Sequence, residues 1–146
     1  AQEELLAALN DPSSSVRLDV VSFTTVISAW ARSRHPNAPE KAEDLLRTLQ
    51  TLSESNPDDD ALRPNSFAYN AVINAYARSG RGESAAEDAE RLMKEMHKKS
   101  SEPGGGRLVK PDTVTYNSVM NAHASRRNRE GAERAEELLD ELCSSE

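Results

Sequence analysis

Three features of the 146-residue sequence predict an all-α fold, an α-solenoid of stacked antiparallel helix pairs. The first is a run of aromatic residues in register, Phe23, Tyr69 and Tyr116, at intervals of 46 and 47 residues. Behind each comes the same series of core positions: Val26, Ile27, Trp30, Ala31; Val72, Ile73, Tyr76, Ala77; Val119, Met120, His123, Ala124. Offsets of three, four, seven and eight residues mark one face of an α-helix. The second feature is a further block, with Ala42, Leu45, Leu46, Leu49 answered by Ala89, Leu92, Met93, Met96 and by Ala135, Leu138, Leu139, Leu142. Two helices per period make each unit a helical hairpin that buries its faces against its neighbours. The third is composition. Hydrophobic residues are 36% of the chain and aromatics 4%, low for one compact globule and sufficient for an array of units.

Taken in order, residues 1–19 read as the end of a preceding unit, because Leu5, Leu6 and Leu9 repeat the spacing of Leu45, Leu46 and Leu49. Asp11-Pro12 and the serines after it break that helix. Repeat 1 spans residues 20–65. Its first helix is expected from about Val21 to Arg34, although the β-branched run Val20 to Ile27 would alone suggest a strand. A turn at His35 to Pro39 leads to a second helix ending near Leu52; Pro39-Glu40 suits a first helical turn, where proline loses no hydrogen bond and glutamate faces the positive end of the dipole. Ser53 to Leu62 reads as an acidic, solvated connector.

Repeat 2 covers residues 66–112. Asn65 and Ser66 offer capping side chains to a helix from about Phe67 to Ser79, Gly80 stops it, and Glu83 to about Lys99 forms the second helix. Pro103-Gly104-Gly105-Gly106 is too glycine-rich to order on its own. Repeat 3, residues 113–146, lacks its closing residues; its helices are expected over Thr113 to Ser125 and Glu130 to Cys143.

Charge and cysteine content narrow the function. The single cysteine, Cys143, excludes an intrachain disulfide and a cysteine-cluster metal site. His123, with no His or Cys nearby, is a poor metal ligand. No apolar run approaches the ~20 residues needed to span a bilayer, and Ala1-Gln2-Glu3-Glu4 lacks the basic head of a signal peptide. The chain opens in mid-pattern, as a piece of a longer array would. There is no glycine-rich phosphate loop, no His-x-Glu with paired cysteines, and no spaced Ser, His and Asp set. No cofactor, small-molecule substrate or enzymatic activity is therefore expected. Net charge of -7 argues against bulk nucleic-acid binding, yet all 25 carboxylates avoid Val20 to Arg34, Ser66 to Gly82 and Thr113 to Arg129. With first helices on one surface and second helices on the other, the solenoid would carry one mildly basic face and one strongly acidic, wet face.

Pro64-Asn65-Ser66-Phe67-Ala68-Tyr69-Asn70 and Lys110-Pro111-Asp112-Thr113-Val114-Thr115-Tyr116-Asn117 resemble the pentatricopeptide repeat. In that family a Pro-Asp or Pro-Asn precedes a Val-Thr-Tyr-Asn-like helix start. The likeness covers nearly the whole chain and is weaker in the first unit, which has Phe23 for tyrosine and no proline before Asp19. One departure is length: the related class repeats at roughly 34 residues, so the insertions here imply surface loops or lengthened second helices.

The resemblance implies binding of single-stranded RNA, one base per repeat, in a mitochondrion or plastid, with roles in transcript processing, stability, editing or translation, alone or beside other proteins of such a complex. Carried over by position, the base readers are Thr24 with Asn65, Asn70 with Asp112, and Asn117 with a partner beyond the chain end. Val21, Phe67 and Val114 are the base-sandwiching residues, and Arg32, Arg78, Arg126 and Arg127 are candidates for phosphate contact. The resemblance implies adenine at the first repeat, uracil at the second and a pyrimidine at the third. Other readings stay open: Asn70 and Asn117 as helix-start residues satisfying free amides, Phe67 as a hydrophobic staple, the arginines as solvated charge, and Trp30, Tyr76 and His123 as packing residues. A peptide- or protein-binding scaffold of tetratricopeptide type, its acidic face suited to a basic ligand, is the alternative function.

Overall fold

In a computed structural model, the structure describes residues 18–103 and 106–144. The helix expected over Ala1 to Asn10 and residues Gly104 and Gly105 lie outside the described residues. Six α-helices follow in order: α1 (Val20–Arg32), α2 (Ala38–Ser55), α3 (Ser66–Ala77), α4 (Glu83–Ser101), α5 (Thr113–Ala124) and α6 (Arg129–Ser144). There is no strand among the described residues, and the chain is an α-solenoid. The β-branched start of α1 is helical because Phe23, Ile27 and Ala31 fall on one buried face, and burial outweighs a weak local preference.

The helices pair as α1 with α2, α3 with α4 and α5 with α6. First helices also pack directly on one another, α1 on α3 and α3 on α5, while α2 rests on α3 and α4 on α5. The first helices thus form a continuous layer, and the second helices meet one another mainly through long charged side chains. A single core runs through the junctions, with Ile27, Leu46, Leu49, Tyr69, Ile73, Leu92, Met96, Val119 and Leu138 fully enclosed.

Each first helix begins on an equivalent capping residue. Asp19, Asn65 and Asp112 accept a backbone N–H from Ser22, Ala68 and Thr115 at 2.9, 3.0 and 3.0 Å. The extra length of the repeats goes into α2 and α4, which run to 18 and 19 residues, and into two 3₁₀ turns, Asp60–Leu62 and Gly106–Val109. Those turns correct the expectation of a wholly solvated connector. Leu62 and Val109, each seven residues before an aromatic, are buried and pin the connectors to the core. One apolar residue per connector gives no periodicity, so neighbouring acids and glycines masked it.

The turn after each first helix passes through a left-handed residue, at Arg34 (φ 59°), Gly80 (φ 74°) and Arg127 (φ 55°). These three positions are in register. Only glycine holds that backbone without a Cβ clash, which costs other residues about 1–2 kcal/mol. Arg34→Gly is accordingly expected to raise stability by up to about 1 kcal/mol after the entropy lost in the unfolded chain is subtracted. A thermal melt with an unchanged or lower midpoint would contradict this.

Candidate nucleic-acid interface

The starts of α1, α3 and α5 lie side by side because the first helices pack in one layer. The second residue of each is apolar and exposed: Val21 66%, Phe67 71% and Val114 57%. Isolated exposed apolar residues are ordinary, but three at one register position along adjacent helices form a stripe. Phe67 cannot be a staple on its own helix at that exposure. Trp30 packs against the core, and Tyr76 and His123 are buried, which fits their packing role.

Behind the stripe sit the polar residues singled out from the sequence. Asn70 and Asp112 are brought together, with the Asn70 Nδ2 donating to Asp112 Oδ1 at 3.1 Å. Asn70 is 7% exposed, so it lies under the surface and not on it as a free reader would. The edge that faces solvent here belongs to Asp112. Its Oδ1 serves the cap and Asn70, and its Oδ2 has no partner among the described residues, leaving one free acceptor on an exposed side chain. Asn65 spends its Oδ1 on the Ala68 N–H and keeps an amide NH₂. Thr24 is half-buried and donates its hydroxyl to the Val20 carbonyl at 2.7 Å; no hydrogen bond joins it to Asn65. Asn117 is exposed.

Of the arginines, Arg32, Arg78 and Arg127 are exposed and have no ion-pair partner among the described residues. Arg78 lines a cleft of about 500 Å³ with Arg34 and His35 between the ends of α1 and α3. Arg126 departs from its expected role. Its side chain is only 10% exposed and is held by Glu83 at 3.5 Å and Glu130 at 3.1 Å, so no phosphate can reach it without breaking those pairs. Glu130, one helical turn away, was legible in the sequence; Glu83, in another unit, was not.

The second helices correct a further expectation, that their acids form a wet face throughout. Glu43 accepts from the Tyr76 hydroxyl at 2.6 Å and from Arg91 of the next second helix at 2.8 Å. Glu90, in the same register, holds His123 Nε2 at 3.0 Å and Arg134 at 2.8 Å. Glu95 binds the Tyr69 hydroxyl at 2.6 Å and Arg47 at 2.8 Å, and the same hydroxyl meets Gln50 Nε2 at 2.6 Å. The arginine contacts, with Tyr76 on Glu43 and His123 on Glu90, are junction locks between units, fixed by donors 33 to 48 residues away, while Tyr69 holds Glu95 within its own hairpin. Arg81 likewise ties Glu40 and the Pro36 carbonyl.

Burial alone would raise the carboxyls of Glu43, Glu90 and Glu95, but the arginine, tyrosine and histidine donors win and hold all three below the ordinary value of 4.5. A carboxylate depressed in the folded state adds stability above its unfolded pKa and loses it as pH falls through the folded one. The melting temperature is thus expected to drop between about pH 5 and about pH 3. Glutamine in place of Glu43, Glu90 and Glu95 should flatten that profile; an equally steep acid limb in the triple variant would remove the locks from the account.

The layered hairpins and the stripe along their first helices define a helical-repeat binding scaffold. The PPR repeat family model matches residues 67–101 and 114–146, and the chain belongs to the PPR repeat family. No curated protein and no solved structure matches it. Proteins of this family usually bind nucleic acid, RNA above all, and are commonly organellar. Among the described residues no helix is long and apolar enough to cross a membrane, and no group of His, Cys, Asp or Glu is placed to hold a metal ion.

Proposed function

We propose that the chain reads single-stranded RNA along the starts of its first helices, one base per repeat, in organellar transcript processing, stability, editing or translation. The observation that carries this reading is the stripe of Val21, Phe67 and Val114, exposed in register above capping residues that keep one polar edge free. Apolar side chains at that spacing replace the stacking a base loses from a free strand. The free oxygen of Asp112 accepts from a ring N–H, which uracil and guanine carry and adenine and cytosine lack. The amide of Asn65 suits a base with a ring acceptor, such as adenine. Arg32, Arg78 and Arg127 supply charge for the backbone, so affinity falls as salt rises.

The test is an anisotropy titration with short labelled RNA oligomers that differ in one base. Asp112→Asn keeps a capping oxygen and replaces the free acceptor. It is expected to lower the preference for uracil at the second repeat about tenfold, while Phe67→Ala weakens binding to every oligomer. Binding that ignores both substitutions and base identity would favour the alternative, a tetratricopeptide-type scaffold whose acidic outer helices hold a basic peptide.

A further inference from the structure

Between α3 and α5 the polar contacts form a closed set of three residues. The fully buried Thr115 hydroxyl donates to Asn70 Oδ1 at 2.6 Å and accepts the Asp112 backbone N–H at 3.1 Å. Its backbone N–H meets Asp112 Oδ1 at 3.0 Å, and its hydroxyl lies 3.0 Å from the same oxygen. Asn70 gives its amide NH₂ to that oxygen. Turning the Asn70 amide over would set its oxygen against the Asp112 carboxylate and leave the hydroxyl no acceptor on it, so one amide orientation is fixed. The first junction has no such set. Ala68 stands where Thr115 stands and offers no hydroxyl, and the Thr24 hydroxyl turns back to its own helix.

We infer that Thr115 is a positioning residue of the second reading pair. Resting on the RNA reading above, this makes recognition at that repeat depend on three residues. Thr115 touches no base. It holds Asn70 and Asp112 against each other so that the free carboxylate oxygen keeps one direction, and it couples the reading edge to the packed interior of the next unit. The sequence pair that reads the first base is not locked in this way and should discriminate less.

The test compares oligomers carrying each of the four bases opposite the second repeat, bound to the full chain and to Thr115→Ala and Thr115→Ser. Alanine is compatible with the helix start, since Ala68 occupies that register. The unaltered chain should prefer uracil over adenine, Thr115→Ala should reduce that ratio about tenfold, and Thr115→Ser should restore it. Thr115→Val gives a second chain without the hydroxyl should hydrogen exchange show that alanine loosens α5. If the unaltered chain discriminates and both hydroxyl-free variants keep the ratio, or bind all four bases more weakly by one common factor, Thr115 is only structural and the inference is overturned. If the unaltered chain shows no base preference, the RNA reading itself fails and Thr115 with it.

Discussion

Gly131→Ala is expected to destabilise the third hairpin by about 2–3 kcal/mol, the cost of overpacking a closed contact. Gly131 sits in the first turn of α6, buried against the end of α5. A Cβ there would lie 2.2 Å from the His123 carbonyl oxygen and 3.1 Å from both Arg126 Cβ and Asn128 Oδ1. Backbone is what blocks it, so no rotamer change relieves the clash and the two helices must move apart. Equivalent positions in the other hairpins, Ala38 and Ala85, carry alanine and are buried, so the tight approach is peculiar to this unit. In an array stabilised by its junctions the damage should stay local. Hydrogen exchange should show α5 and α6 losing protection while α1 to α3 keep theirs. Full protection of α6 in the variant would contradict the close packing.

Glu90→Ala should loosen the junction between the second and third hairpins, by about 2 kcal/mol. The carboxylate side chain is 15% exposed and gathers His123, Arg134 and Lys94, the last at 3.4 Å. Removing it leaves the buried imidazole without a partner, while Arg134 keeps Glu137 at 2.8 Å and Glu141 at 3.8 Å, and a stranded buried partner costs more than the bond itself was worth. His123 Nδ1 already lacks a partner, so the ring has nothing else to hold it. Glu43 makes the same lock one unit earlier with Tyr76 and Arg91. Calorimetry on Glu90→Ala should therefore give a broader transition with a lower onset, and Glu90→Gln, which still accepts from His123, should recover part of the loss. Equal midpoints for all three chains would mean the lock contributes nothing.

What the sequence made legible was whatever repeats at helical spacing. Most of the buried faces of α1 to α6, the capping residue Asn65 and the positions of Val21, Phe67 and Val114 follow from alignment of the units on their aromatics. Val26, Ala124 and Leu139, expected in the core at the same spacing, are instead exposed, because no described helix packs over them. What escaped depends on partners far along the chain. Asn70 reads as a surface amide until Thr115, 45 residues on, closes over it. Glu43, Glu90 and Glu95 read as solvated acids until an arginine from the next unit reaches them. Leu62 and Val109 carried a signal, their equal distance ahead of Tyr69 and Tyr116, but one residue in a polar connector is weak evidence of burial. Gly131 gave none: its φ is not left-handed, and only the approach of two helices shows why a side chain is excluded there.

The most direct measurement is photocrosslinking of a 4-thiouridine RNA oligomer to the chain, with the joined residues mapped by mass spectrometry. Crosslinks confined to the starts of α1, α3 and α5, around Val21, Phe67, Val114 and Asn117, are expected. Crosslinks on the outer faces of α2, α4 and α6, or none above the level of a denatured control, would contradict the account.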